Sequence, residues 1–164
     1  MRDWSTPLAR RLATVQEVRQ RGDSALALRS LCIALAVPAL MRIPLAKLDT
    51  LLEWLVSRAA STSVDPEPIA STVLQMLDAG RPLVRRGCLT RGLTLYYCLR
   101  RAGVSVVLCF GMGRTSTGDG FDGHCWLELD GKPYLEARDP RAYYATMCTF
   151  GRGGITAETK AVRG

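Results

Sequence analysis

The stretch Gly87-Cys-Leu-Thr-Arg-Gly-Leu-Thr-Leu-Tyr-Tyr-Cys-Leu-Arg-Arg-Ala-Gly103 predicts a helix that begins at a cysteine and ends before a glycine. Its side chains are apolar on most sides, and Arg91 and the terminal Arg100-Arg101 are the exceptions. A helix that is apolar nearly all round is usually buried. We therefore expect a central helix from Cys88 to Ala102, around which the rest of the fold packs.

The residues before this helix carry helical periodicity throughout. Apolar spacing and capping residues predict helices over residues 9–21, 25–41, 45–60 and 69–79, with residues 61–68 as a loop. The most apolar segment, residues 30–41, is too short for a membrane span, which needs about 20 residues, and Pro38 interrupts it. We interpret it as a buried helix.

The residues after Gly103 change to strand-like patterns. Residues 104–110 are rich in β-branched side chains and predict a strand, followed by a glycine-bearing loop over residues 111–123. Residues 124–129 and 133–138 predict a hairpin around Asp130-Gly131. The expected fold is α+β, with a helical N-terminal half and then a small antiparallel sheet packed on the cysteine-bearing helix.

This pattern predicts a domain organisation of three parts. Residues 1–80 form a helical region that packs with the core, residues 81–145 form the core, and residues 146–164 form a tail that becomes disordered towards its end. A chain of 164 residues has the size of one domain. The net charge of +7 is most simply solvated surface charge, and no aromatic-interleaved basic motif indicates nucleic-acid binding.

The six cysteines show no paired spacing, and the N-terminus is polar, without the pattern of a secretory signal. We therefore expect a cytoplasmic protein with free thiols. The absence of a Cys-x-x-Cys motif and the presence of a single histidine disfavour zinc, and the sequence indicates no other cofactor. Cys125 neighbours His124, but consecutive strand residues point to opposite faces, so the two are not expected to share a metal.

Cys88 and His124 together suggest nucleophilic catalysis. Cys88 lies at a helix N-terminus, where unpaired backbone N–H groups favour a thiolate, and the preceding Arg85 and Arg86 would add positive potential. The backbone N–H of Cys88 is the first candidate for an oxyanion donor. Each residue taken alone is more simply structural, because buried unreactive cysteine is common. As the chain has one histidine, the base is unambiguous.

Hairpin register selects the acid that would orient the imidazole. A two-residue turn at Asp130-Gly131 would place Glu136 on the face opposite to His124. A three-residue loop over residues 129–131, with Gly131 left-handed, sets Glu136 directly across from His124. Glycine suits that loop position, so we predict the three-residue loop and Glu136 as the acid. Glu128 lies about 13 Å along the strand, and Asp139 lies beyond the pairing.

Gly111 and Gly113 do not form a phosphate-binding loop, because no helix-forming segment follows them. The residues from Gly111 to Gly123 are better interpreted as one rim of a cleft beside His124.

Three segments resemble the transglutaminase-like leader peptidases of lasso-peptide biosynthesis. They are GCLTRGLTL (87–95), LRRAG (99–103) and GFDGHCWLELDG (120–131). The resemblance covers roughly residues 80 to 140, and its Cys-Leu-x-Arg and His-x-Trp-x-Glu-x-x-Gly elements are fairly specific together. It implies a papain-like fold and a Cys-His-acid protease with Cys88 as nucleophile, His124 as base and Glu136 as the third member. The family typically has aspartate at the third position and alanine where this chain has Cys125.

The resemblance also implies partners. The substrate would be a ribosomally made precursor peptide whose leader is removed, and a macrolactam-forming synthetase would act on the released core. The first 80 residues do not resemble the winged-helix-like domain that recognises leaders in this family, so a separate recognition protein is implied. Two alternatives stay open at the level of sequence: another transglutaminase-like amidase or acyl transferase, and a catalytically silent peptide-binding module of the same fold.

Overall fold

The structure is a computed structural model that describes residues 24–56, 64–81, 83–84, 87–115, 119–151 and 156–157. Within these residues the helices are α1 (Ser24–Leu40), α2 (Leu45–Val56), α3 (Pro66–Ala79) and α4 (Cys88–Arg101). The strands are β1 (Val106–Arg114), β2 (Phe121–Leu129), β3 (Lys132–Tyr134), β4 (Ala145–Phe150) and β5 (Thr156–Ala157), with a 3₁₀ turn at Pro140–Ala142.

The strands form one antiparallel sheet in the order β3-β2-β1-β4-β5. The helices precede the sheet in the chain, which confirms the predicted α+β class. Strands β4 and β5 lie almost entirely within residues 146–164, which the sequence analysis interpreted as a tail and did not assign to the sheet. Phe150 at the end of β4 is fully buried, so this segment contributes to the core.

The predicted loop over residues 111–123 is wrong over most of its length. Strand β1 continues to Arg114 and β2 begins at Phe121, with Gly111 paired to His124 and Arg114 to Phe121. Residues 111–123 were predicted as a loop because glycines are depleted in ordinary strands. Here they have a packing role, since a Cβ on Gly111 would lie 2.8 Å from the ring of Trp126 and 2.9 Å from Cβ of Tyr144.

The predicted three-residue hairpin loop is also wrong. Leu129 pairs with Lys132, so the turn consists of the two residues Asp130 and Gly131. Both have positive φ, 52° and 77°, which is the signature of a type I′ turn whose twist matches that of the flanking strands. Strand β3 ends at Tyr134 instead of continuing to residue 138.

The helix predictions hold with changed bounds. Helix α3 begins at Pro66, three residues earlier than predicted, because Asp65 accepts a hydrogen bond from the Glu67 amide at 3.1 Å and proline is well tolerated in the first turn. Gly103 ends the α4 segment with φ of 92°. The predicted helix over residues 9–21 and residues 57–60 of the next one lie outside the described residues. Most of the predicted disordered end also lies outside them, but Thr156–Ala157 within it form β5.

No helix among the described residues has the length and apolarity needed to cross a membrane.

Helix α4 is the element around which the other layers assemble. Its buried residues, including Leu93, Tyr96 and Leu99, pack with α1, α2 and α3 on one side and with the sheet on the other. Gly92 permits the closest approach to the sheet, because a Cβ there would lie 2.7 Å from Sγ of Cys125. Helix α2 is also tied to α4 by Glu53, which accepts a hydrogen bond from Tyr96 and pairs with Arg100.

The opposite face of the sheet is covered by residues 139–144. Trp126 is 1% exposed on this face, above Gly111 and beside Tyr144. Pro140 is buried, and the guanidinium of Arg141 reaches the Gly131 carbonyl at 3.1 Å. Helix α4 and residues 139–144 therefore cover the two faces of the sheet.

The hairpin register can be tested at Asp130, an exposed residue held at positive φ. Asp130→Val should lower the free energy of unfolding by about 1–2 kcal/mol, because a β-branched residue is strained in the left-handed region. Asp130→Asn should leave stability unchanged or slightly raised, since Asn-Gly is the preferred I′ pair. Urea denaturation gives the comparison. Lys132→Val, an exposed strand position, is the matched control, and equal stability of Asp130→Val and wild type would contradict the turn.

Candidate active site

Cys88 is the first residue of α4 and is partly buried. The N-cap, Gly87, provides no side-chain hydrogen bond, so the helix begins without the usual capping oxygen. The first N–H groups of a helix have no acceptor within it, and an anion placed there is stabilised. The uncapped helix start can therefore serve both a thiolate and an oxyanion. Arg85 and Arg86, predicted to add charge here, lie outside the described residues.

His124 projects from β2 into an aromatic surrounding. Its ring is stacked at 6.0 Å from that of Trp126 and lies 5.1 Å from the ring of Tyr144. The Tyr144 hydroxyl donates to Asp122 at 3.3 Å, and burial together with that carboxylate raises the pKa of Tyr144. These contacts fix the plane of the imidazole. Tyr144 was missed from the sequence because it follows the last predicted strand, residues 133–138, and no local pattern connects it to His124.

Glu136 meets His124 although the predicted register was wrong. Its Oε2 lies 3.4 Å from Nε2 of His124, and its side chain is 13% exposed. The two-residue turn alone would leave Glu136 on the other face, but β3 has ended and Leu135 has φ of 60°. This left-handed residue breaks the strand alternation and turns Glu136 back towards the imidazole.

Arg91 holds the other side of the same carboxylate. Its NH1 donates to Oε1 of Glu136 at 2.9 Å, and its NH2 donates to the Leu135 carbonyl. Arg91 lies three residues after Cys88, so the helix that carries Cys88 also holds the Glu136 carboxylate. Sequence reasoning gave it no role. The available signal was a single charged residue inside an otherwise apolar helix, because burial of an arginine requires a partner.

Because Nε2 is engaged by Glu136, Nδ1 is the imidazole nitrogen available to the thiol. Cys88 and His124 both line two cavities, which makes them neighbours across one cleft. The first cavity, about 400 Å³, is bordered by charged groups of α3 and α4. The second, about 480 Å³, is almost entirely apolar. An extended substrate could occupy both sides while its reacting carbonyl lies at the thiol.

The other carboxylates near β2 are engaged elsewhere. Asp139 binds Arg141, whose hydrogen bonds lower the pKa of that carboxyl, and it caps the following 3₁₀ turn. Glu128 lies 3.4 Å from the indole nitrogen of Trp126 and 3.8 Å from Arg141. Neither has a hydrogen bond to His124 among the described contacts. Glu136 is therefore the acid that the geometry associates with the imidazole.

The remaining thiols have different surroundings. Cys125 is buried against α4, on the sheet face opposite to His124, as strand alternation predicted. Burial raises the pKa of Cys98 to about 12 and also raises the pKa of Cys125 and of Cys148. Cys32 is exposed on α1. Among the described residues, no group of three or more His, Cys, Asp or Glu side chains could hold a metal ion.

The role of Arg91 can be separated from simple stabilisation. Arg91→Ala should lower the free energy of unfolding by about 1 kcal/mol, the usual net value of a partly exposed charged hydrogen bond. It should also weaken the dependence of Cys88 reactivity on Glu136, because the carboxylate loses its second anchor. Arg91→Lys should recover little of the lost stability or of the lost Glu136 dependence, since an ammonium cannot make the forked contact.

Arg100→Ala is the matched control for Arg91, because it removes a partly exposed ion pair of the same helix far from Cys88. It should lower stability without changing the alkylation rate of Cys88. Identical alkylation profiles for Arg91→Ala and Arg100→Ala would contradict the assignment of Arg91.

The uncapped helix start can be tested at Gly87. A Cβ there meets nothing within 4 Å, and its φ of 168° is open to any residue. Gly87→Asp should cap α4 and raise the free energy of unfolding by a few tenths of a kcal/mol, roughly the difference between these N-caps. It should also slow Cys88 alkylation, because its carboxylate takes the helix-start donors and repels a thiolate. Gly87→Ala is the control, and faster alkylation of Gly87→Asp than of Gly87→Ala would contradict this role.

The comparisons with known proteins agree with this geometry. Residues 33–149 match the family model described as Transglutaminase-like superfamily, which covers α1 to β4 and more than half of the chain. Searches of curated proteins and of solved structures find no match. The cysteine at a helix start and the histidine on an adjoining strand lie within the matched region. The chain belongs to the transglutaminase-like superfamily.

Proposed function

We propose that this protein is a cysteine peptidase that removes the leader from a ribosomally synthesised precursor peptide, as in lasso-peptide maturation. Cys88 is the nucleophile, His124 the general base and Glu136 the residue that orients it. The observation that carries the proposal is the convergence of an uncapped helix-start cysteine and a glutamate-bound imidazole on one cleft. Membership of the superfamily supports the same class of chemistry.

Acylation follows from the positions of these groups. The Cys88 thiol transfers its proton to Nδ1 of His124, and the thiolate attacks the scissile carbonyl to form an S–C bond. The resulting oxyanion accepts hydrogen bonds from N–H groups at the start of α4. The imidazolium then protonates the leaving amine as the C–N bond breaks, which leaves a thioester on Cys88 and a neutral imidazole.

Deacylation uses the same imidazole in the opposite direction. His124 takes a proton from water, the hydroxide adds to the thioester carbonyl, and collapse releases the carboxylic acid and the Cys88 thiol. Glu136 accepts from Nε2–H throughout, which stabilises the imidazolium and keeps Nδ1 directed to the reaction. Arg91 keeps the Glu136 carboxylate in place and is a positioning residue in this scheme.

The resemblance in residues 87–95 and 120–131 supports the leader-peptidase assignment in particular. On this proposal the substrate is a precursor peptide, a separate protein recognises its leader, and a macrolactam synthetase consumes the released core. Residues 1–80 would pack with residues 81–145 as one unit, which agrees with the packing of α1, α2 and α3 on α4. The glutamate in place of the usual aspartate is accommodated by Arg91, which anchors the second oxygen of its carboxylate.

Selective alkylation of Cys88 tests the proposed thiolate–imidazolium pair. With iodoacetamide at pH 6, Cys88 should react at least tenfold faster than exposed Cys32, since only a thiolate is a strong nucleophile. The advantage should disappear in His124→Ala and shrink in Glu136→Gln. Cys98, Cys125 and Cys148 should stay unlabelled, because their raised pKa values keep them protonated. Peptide mass spectrometry measures each site, with Arg100→Ala as control.

The outcome also separates the rival functions. Cys88 reactivity equal to that of Cys32 and independent of His124 would contradict a poised peptidase and favour a silent binding module. If Cys88 is reactive, the next question is whether water or an amine accepts the acyl group from the thioester. Product mass with and without an added primary amine then distinguishes hydrolysis from acyl transfer, because an amide product differs in mass from the free acid.

A further inference from the structure

We propose that the apolar cavity beside Cys88 is a specificity pocket that binds a bulky apolar side chain next to the scissile bond. The proposal that the occupant belongs to a peptide rests on the proposed function, and it adds the chemistry of the residue recognised. The cavity has about 480 Å³, enough for a leucine or phenylalanine side chain, and Cys88 and His124 form part of its wall.

The floor and rim of the cavity come from separate parts of the fold. The floor includes Leu48 of α2, Phe110 of β1 and Cys125 of β2, and the rim includes Met41, Met112 and Met147. Leu48 and Cys125 are 1% and 4% exposed, so the floor is a continuation of the protein core. Among the described residues, no charged side chain lines this cavity apart from the imidazolium of His124 and the thiolate of Cys88 that form in the proposed reaction. A charged substrate side chain would lose its hydration here without compensation.

The methionine rim is the second observation that supports a binding pocket. Three of the five methionines in the chain border this cavity, and they are 39%, 46% and 47% exposed. Met76, in contrast, is buried in the core. Large apolar side chains that stay exposed around one opening are typical of a binding site. Methionine is flexible and polarisable, so the rim can adapt to aliphatic and aromatic side chains alike.

The other cavity at the thiol is more polar, although Leu74, Leu77 and Val84 also line it. It is bordered by Asp78, Arg81 and Arg91, and the first two form an ion pair at 2.5 Å. The two directions that lead away from Cys88 therefore differ in polarity. This asymmetry gives an extended peptide one preferred placement, with its apolar side chain in the methionine-rimmed cavity.

Chloroacetamides of the form ClCH₂–CO–NH–R test the pocket without a known substrate. Cys88 displaces chloride and forms a thioether. The short CH₂–CO–NH link of the adduct then holds R close to the sulfur. The probes carry isobutyl, benzyl, aminoethyl or carboxyethyl as R, and each rate is divided by its rate with glutathione. Isobutyl and benzyl should label Cys88 roughly tenfold faster than the charged probes, the factor expected when about two CH₂ groups leave water. The two apolar probes should agree within a few-fold.

Variants of the exposed rim test whether the preference for apolar probes arises in this cavity. Met112→Lys and Met147→Lys change exposed positions, so both are expected to fold, as a thermal melt would confirm. Each should remove most of the apolar preference and accelerate the carboxyethyl probe. Leu35→Lys is the matched control, because Leu35 is 53% exposed on α1 and does not line the cavity. It should keep the wild-type preference.

The labelling rates separate a failure of the proposed pocket from a failure of the proposed peptidase function. Equal normalised rates for all four probes, or an apolar preference that persists in both methionine variants, would overturn the pocket. Rapid labelling of Cys88 without any preference among R groups would overturn the pocket and leave the proposed function standing. Slow labelling that still favours isobutyl and benzyl, and loses this preference in Met147→Lys, would support the pocket and count against a poised peptidase.

Discussion

The carboxylate of Glu136 is the point on which the site depends. One oxygen meets Nε2 of His124 and the other accepts from Arg91, so a single side chain joins the imidazole on β2 to the helix that carries Cys88. Two further features are needed for this contact. Leu135 must adopt a left-handed conformation, and α4 must pack closely on the sheet, which the absence of a side chain at Gly92 permits. The fold and the chemistry are therefore fixed by the same contacts.

The parts of the structure that were predictable from sequence are those set by local patterns. Apolar periodicity and flanking glycines located α4, and β-branched residues located the start of β1. Gly111 was misinterpreted because its role depends on Trp126 and Tyr144, which no local pattern connects to it. The contact of Glu136 with His124 was predicted through two opposing errors. The real two-residue turn moves it to the other face, and the left-handed Leu135 returns it. The role of Arg91 required tertiary contacts.

On the proposed function, the cleft combines a rigid reaction centre with an adaptable recognition surface. His124 is held by rings and by a carboxylate, and Cys88 is held by a helix, so the reacting groups have few alternative positions. The methionines at the apolar rim come from the turn after α1, from β1 and from β4, and they are exposed. Such an arrangement separates two demands that would conflict in one set of residues: precise geometry for bond cleavage, and tolerance towards the side chain that enters.

The contacts of Glu136 also imply an order of assembly. His124 and Glu136 are 12 residues apart, in one hairpin and its extension, whereas Arg91 and Glu136 are 45 residues apart. Closing the longer loop costs more chain entropy, so the base and its acid can meet before the helix docks. A partly unfolded molecule with α4 detached would retain an imidazole–carboxylate pair and have no nucleophile beside it. In the proposed site, the thiol and the imidazole therefore come together only when α4 is docked.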